Sequence, residues 1–402
     1  MITPKTTLKE LIDSYPELQP TLEVHGIKGT DNPHILKQIG DKTLEELMTL
    51  KNKNVSVFIE LLEEQIKDES IDVTLQEGST NGTIDLLGLL PCPVRVPLLE
   101  GLNNLPHFEQ VNHELKAAAE GLDWLKDSVK NATDEHDLAD IYISAGFDLF
   151  FEEDLMKQYK NKNVFKDYYH DVPFNKDFHN DAISLKDPQG DYSMIGVVPA
   201  VFLVNTKELG DRPMPKTWQD ILDPIFKGSI SLPVSDFDLF NAIMIHLYKE
   251  FGEGAIETLG EQLVESMHPS QMVKSASRSR VKPAISIMPY FFTKMALPGS
   301  VMQAVWPEDG AIISPIFMLT KTEKEETLKP YTDYFQSQEV GEILAHKGLF
   351  PSTHKDVDNK LDNPTFKWIG WDYINNNDIG ATLNHCTKLF ERGMAKNGSH
   401  HS

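Results

Sequence analysis

From Ile84 onward the chain alternates between short apolar runs and helical patterns, and this alternation limits the fold more than any other feature of the sequence. Residues 84–90, 140–143, 197–204, 230–234, 284–288 and 311–319 read as strands, the third apolar throughout except for Pro199. Apolar runs of four to nine residues without a strict in–out alternation belong in a sheet covered on both faces. Such strands, separated by helical stretches, make an α/β architecture with mostly buried sheets.

Before Ile84 the chain has a different character. Thr7-Leu8-Lys9-Glu10 has the spacing of a capping box, in which hydroxyl and carboxylate each satisfy an orphan backbone donor. Leu8, Leu11, Ile12 and Tyr15 then fall on one helical face. A second box, Thr43-Leu44-Glu45-Glu46, opens a helix carrying Leu44, Leu47 and Met48, and a third pattern runs through Phe58, Leu61, Leu62 and Ile66. Residues 1–70 are therefore expected to form a small helical domain. Residues 71–82, with the polar run from Gln76 to Gly82, read as a linker.

The chain has 402 residues, long enough for two to four domains, and a formal net charge of -23. A field of that sign repels phosphate backbones and anionic lipid, so neither nucleic acid nor a membrane surface is an expected partner. The two cysteines, Cys92 and Cys386, form no CxxC pair, and the sequence leaves open whether they are bridged. No apolar stretch follows Met1, and no run of about twenty apolar residues occurs, so neither a signal peptide nor a transmembrane helix is expected. The chain as written reads as cytoplasmic; the alternative is an extracytoplasmic protein whose export signal has been removed.

Three segments carry a resemblance, the last of them in two pieces, and they occur in the order expected of it. Pro215-Lys216-Thr217-Trp218-Gln219-Asp220-Ile221-Leu222-Asp223-Pro224-Ile225-Phe226-Lys227-Gly228-Ser229-Ile230 follows Phe202-Leu203-Val204-Asn205-Thr206-Lys207. Tyr334-Phe335-Gln336-Ser337-Gln338-Glu339-Val340-Gly341 and Lys347-Gly348-Leu349-Phe350-Pro351-Ser352 come near the end. Together they resemble the type II periplasmic binding proteins, nearest the ferric-iron-binding branch, over roughly Gly82 to the C-terminus. The resemblance implies two α/β lobes joined by crossing strands, with a solute held between them. Residues 83–200 and 313–402 would form the first lobe and residues 201–312 the second. The N-terminal segment, with Ile2-Thr3, Tyr15-Pro16-Glu17-Leu18 and Gly26-Ile27, is similar to a small domain of anaerobe proteins. Members often carry cysteines after that Gly-Ile, where this chain has Lys28-Gly29-Thr30.

Ligands of open α/β sheets sit beyond the carboxyl ends of strands, where helix N-termini present free N–H groups. Candidate ligand-binding residues therefore lie in the strand-to-helix loops. Cys92 and Arg95 follow the first strand; a rigid proline turn is the plainer role there. Ser144, Gly146 and Phe147 follow the second, where small residues admit a ligand to the backbone and a ring can stack on it, or where the turn is simply close-packed. Ser235, Asp236 and Asp238 precede an apolar helix, and a helix cap accounts for one of the two carboxylates. His268, Ser270 and Gln271 could open another helix, although a lone histidine is more often not a ligand. Tyr290 follows the strand at 284–288. The ferric-binding relatives place two consecutive tyrosines there, and this chain has Tyr290-Phe291, which argues against their iron chemistry. Glu308 completes the set, its plainer role being a turn with Asp309 and Gly310. Lys274, Arg278 and Arg280 form a basic cluster whose default role is a solvated face.

No GxSxG, P-loop, HExxH or GxGxxG motif is present. The expected function is a solute-binding protein of the ABC-transporter type, taking a small molecule or ion and meeting a permease or a cytoplasmic protein. No catalytic residue and no cofactor is expected, and whether a metal binds is left open. The alternatives are a cytoplasmic ligand sensor or an enzyme built on the same two-lobed fold.

Overall fold

A computed structural model of the chain describes residues 2–15, 32–51, 82–117, 122–179, 184–233, 237–264, 283–293 and 299–398, with single positions between 18 and 66. The expected linker, apart from Gly82, lies outside the described residues, as does the basic cluster Lys274, Arg278 and Arg280.

Near the N-terminus, helices α1 (Leu8–Ser14), α2 (Pro33–Ile39) and α3 (Leu44–Leu50) form. Both capping boxes are made: the Thr7 side chain accepts from the Glu10 N–H, and the Thr43 side chain from the Glu46 N–H. The two caps also pair with each other, since the Leu8 N–H donates to Lys42 O and the Leu44 N–H to Thr6 O, each at 3.0 Å. This pairing aligns the buried faces of α1 and α3. Leu8, Leu11 and Ile12 meet Leu44, Leu47 and Met48, with Phe58, Ile59 and Leu62, in a cluster separate from the main core.

The main sheet is built from β1 (Ile84–Leu90), β2 (Val111–Ala117), β3 (Ile141–Ala145), β4 (Ser193–Asn205), β5 (Ile230–Ser231), β6 (Ile285–Pro289), β7 (Met302–Val305), β8 (Ala311–Thr320) and β9 (Phe366–Lys367). Its order is β2-β1-β3-β8-β4-β6-β5, with β7 on β4 and β9 on β8. The two longest strands, β4 and β8, are buried at every position. They run antiparallel from Ser193↔Met318 to Ala200↔Ile312. The parallel group β1, β2, β3 joins the far half of β8. Strands β6 and β7 join the other half of β4, from Ala200 to Asn205, and β5 lies parallel to β6. Two α/β halves thus share a pair of crossing strands, as the resemblance implied. The six strands expected from apolar runs are all present. The additional ones are polar or very short: β2 reads Val-Asn-His-Glu-Leu-Lys-Ala at the sheet edge, and β7 exposes its two central residues.

One local expectation changes. Residues 91–97 read as a turn with Pro97 opening a helix, yet helix α4 (Cys92–Asn103) starts five residues earlier. Pro93 sits in its first turn, where a missing N–H is no loss, and Pro97 is tolerated inside it.

Helices α5 (Asp123–Lys130) and α6 (Phe147–Phe151) flank the first half, and α7 (Trp218–Ile221), α8 (Phe237–Phe251), α9 (Glu253–Gln262) and α10 (Tyr290–Thr293) the second. The segment that resembles the binding proteins is held by Trp218. Its ring is fully buried, edge-on to Phe202 at 5.0 Å, and its indole N–H donates to Gly310 O at 2.8 Å. Near the C-terminus come α11 (Glu325–Phe335), α12 (Trp371–Asn376) and α13 (Ile379–Gly398). Trp371 packs on Phe151, Tyr192 and Phe317. Helix α13 instead lies along α9, where Gly260 and Gly393 let the backbones touch; a Cβ on Gly393 would stand 2.0 Å from Glu257 O. Cys386 on α13 is a free thiol, and burial pushes its pKa up to about 12.

Candidate functional site

Four strand-to-helix junctions carry most of the candidate residues: β1 to α4, β3 to α6, β5 to α8 and β6 to α10. Because β5 and β6 are parallel neighbours, with Ser231 beside Ser286, their two junctions open on the same edge of the sheet.

At the first junction Cys92 is the opening residue of α4, and its side chain lies outside what is described. Arg95, one turn later, is buried at 1% exposure, and its Nε donates to Leu115 O at 2.6 Å. The guanidinium thereby ties α4 to the end of β2.

At the second junction Ser144 is fully buried and its Oγ donates to Ala145 O at 2.8 Å. Phe147 points into the core, packed on Phe151 at 5.5 Å and Trp368 at 5.9 Å. Gly146 between them has φ 143°. A Cβ there would stand 2.7 Å from Asp238 Oδ1, so the turn after β3 and the start of α8 touch. Asn241, one turn along α8, donates to Asp148 Oδ1 at 2.5 Å, and Asp148 pairs with Lys126 at 2.9 Å. Burial works against the Lys126 charge, but Asp148 outweighs it, and the lysine pKa stands above its ordinary value. Burial, followed by the charge of Asp148, raises Glu152 beside them. This bridge of α5, α6 and α8 had no sequence signal, because Asp148 and Asn241 are 93 residues apart.

The third junction is described up to Pro233 and again from Phe237 onward. Ser235 and Asp236 lie outside the described residues, as do His268, Ser270 and Gln271.

At the fourth junction Tyr290 opens α10 directly after Pro289. Its ring is half-buried and packs edge-on against Trp306, centroids 5.3 Å apart. Trp306 in turn packs on Phe366 at 5.6 Å and donates its indole N–H to Thr365 O. The Tyr290 hydroxyl has no hydrogen-bond partner among the described residues, whereas the Thr293 hydroxyl donates to Tyr290 O at 2.7 Å and closes the turn. Phe291 goes into the main core. Glu308 is on the surface, 3.2 Å from Lys216, both side chains more than 60% exposed. Asp309 accepts from the Trp218 N–H and faces Lys367. The structure thus brings Gly146 to Asp238 and sets Tyr290 against Trp306, while it commits Arg95, Ser144 and Phe147 to structural contacts. Trp306, which heads the Trp306-Pro307-Glu308-Asp309-Gly310 turn, carries no local signal that it partners Tyr290. Among the described residues, no group of three or more histidine, cysteine or carboxylate side chains is gathered closely enough to hold a metal ion, and no helix is long and apolar enough to cross a membrane.

Residues 136–377, more than half of the chain, match the sequence model of bacterial extracellular solute-binding proteins. No curated protein matches the sequence. Among solved structures, apo ferric-ion-binding protein A of Pasteurella haemolytica is similar, with 12% identity and a TM-score of 0.56, covering 78% of this chain and 99% of that one. The ferric binding protein of Campylobacter jejuni has 14% identity and a TM-score of 0.53 over 77% and 99% of the two chains. An ABC-transporter substrate-binding protein from Agrobacterium tumefaciens has 14% identity and a TM-score of 0.53 over 79% and 96%. At these identities the likeness is one of fold: the two-lobed α/β fold of binding proteins.

Proposed function

We propose that this chain, which belongs to the bacterial extracellular solute-binding family, holds a small polar or ionic solute between its two halves and passes it to an ABC permease. The family description, extracellular, goes with the second of the two locations considered from the sequence, so the proposed site of action is outside the cytoplasm. The halves are residues 83–200 with 313–402, and residues 201–312, hinged on β4 and β8.

Tyr290 carries the proposal. It stands at the carboxyl end of a sheet strand with its half-buried ring edge-on to Trp306, and its hydroxyl has no protein partner among the described residues. A phenol that no protein group engages, at the accessible end of a strand-to-helix junction, is available to a ligand oxygen or nitrogen. Asp238 is brought against Gly146 where the two halves touch. Two of the neighbours are ferric-binding proteins by name, but Phe291 is apolar and turned into the core, so this junction offers one phenol. The proposed ligand is therefore a polar or ionic solute other than bare ferric ion.

Native mass spectrometry of the purified protein would identify the solute it carries, and calorimetry would compare its affinity for wild type and Tyr290→Phe. A hydroxyl that bonds the solute in a closed cleft contributes about 1–3 kcal/mol, a weakening of roughly 5- to 150-fold on its removal. Equal affinities would place Tyr290 in the lobe wall and leave the site to the other junctions.

A further inference from the structure

Phe292 alone among the described residues packs against both hydrophobic clusters, that of the main body and that of the N-terminal helices. It sits two residues after Tyr290, in the single turn of α10. Successive residues of a helix are rotated by about 100°, so three in a row point in three directions. Tyr290 meets Trp306, Phe291 enters the core at 8% exposure, and Phe292 lies against the cluster of Leu8, Leu11, Leu44, Phe58 and Leu62. Phe291 and Phe292 also touch edge-on, centroids 5.5 Å apart. The turn is stiffened by the Thr293 hydroxyl on Tyr290 O, and β6 anchors it through Pro289 opposite Ala200. A displacement of Tyr290 therefore turns α10 as a unit and shifts Phe292 against the N-terminal helices.

We infer that the N-terminal helices act as a reporter seated on the back of the ligand wall: they sense the position of Tyr290 through Phe292, and their own packing state acts back on Tyr290. The inference rests on the reading of Tyr290 as ligand wall. Coupling of two sites is reciprocal, so a perturbation on either side must be felt on the other.

The test uses the full chain without added solute, so its failure is separable from a failure of solute binding, which calorimetry on Tyr290→Phe reads. A fluorinated tyrosine placed at 290 reports its surroundings by fluorine resonance, and hydrogen exchange reports α1 and α3. Leu11→Ala cuts into the N-terminal cluster far along the chain from Tyr290. It is expected to speed exchange in α1 and α3 and to shift or broaden the fluorine signal. Phe292→Ala, made from the other side, is expected to speed exchange in α1 and α3 several-fold while β4 and β8 keep their protection. Faster exchange in Leu11→Ala with an unchanged fluorine signal overturns the inference. So does unchanged exchange of α1 and α3 in Phe292→Ala, whatever Leu11→Ala does.

Discussion

The β3 and β6 junctions are alike in topology: each is a strand end running straight into a short helix that begins with an aromatic residue or its glycine cap. Their side chains are used differently. After β3, Ser144 satisfies its own hydroxyl, Phe147 fills the core, and Gly146 gives the room that lets Asp238 approach. After β6, the half-buried Tyr290 keeps a hydroxyl without a partner among the described residues, and only its neighbour Phe291 goes to the core. Position at a strand end creates an opportunity for binding; which junction takes it depends on whether packing has already consumed the polar and aromatic groups there.

Four substitutions test that contrast. The largest effect belongs to the packed junction: Phe147→Ala should cost about 3–5 kcal/mol of stability, read by chemical denaturation, because it empties a site among Phe151 and Trp368. A loss under 1 kcal/mol would mean that the β3 junction is not filled by its aromatic residue.

His246, toward the other end of the helix that supplies Asp238, comes second. It is buried with Nδ1 2.7 Å from Ala242 O, and burial pushes its pKa down to about 3. Unfolded, it takes up a proton below about pH 6.5, which the folded state resists. Its contribution is therefore intact above that pH and declines as pH falls from about 6.5 toward 3. Between pH 6.5 and 4.5 the wild type should lose about 2–3 kcal/mol more than His246→Gln, on the order of 1.4 kcal/mol per pH unit. Parallel stability curves for the two proteins would exclude it.

Gly146→Ala is third. It puts a methyl group 2.7 Å from Asp238 Oδ1 at a φ of 143° that side chains rarely adopt. A cost of about 1–3 kcal/mol is expected in thermal unfolding. An unaffected melting temperature would mean that the turn and α8 are free to part.

The smallest effect should come from the open junction. Tyr290→Phe removes no contact of the hydroxyl with the described residues, and its stability should stay within about 0.5 kcal/mol of wild type. A larger loss would show that the hydroxyl serves the fold, and the contrast between the two junctions would collapse.

Much of this protein was legible along the chain. The apolar runs placed all the interior strands, because burial on both faces demands such composition wherever the strand lies, and the Thr7 and Thr43 boxes placed two helix starts, because a cap is made by residues three apart. The polar edge strand β2 escaped notice, since pairing with β1 satisfies its backbone while one side stays wet and its composition reads as loop. The candidate site was legible only as a set of loops. Whether Arg95 reaches a solute or Leu115 O, whether Phe147 stacks outward or fills the core, and whether Tyr290 meets Trp306 depend on contacts between residues distant in sequence. Those contacts are fixed by how helices seat on the sheet, and local pattern carries no record of them. Local pattern along the chain sets which residues stand at the strand ends; which of them keep a polar group unengaged follows only from the folded packing, because core contacts and hydrogen bonds claim the others first.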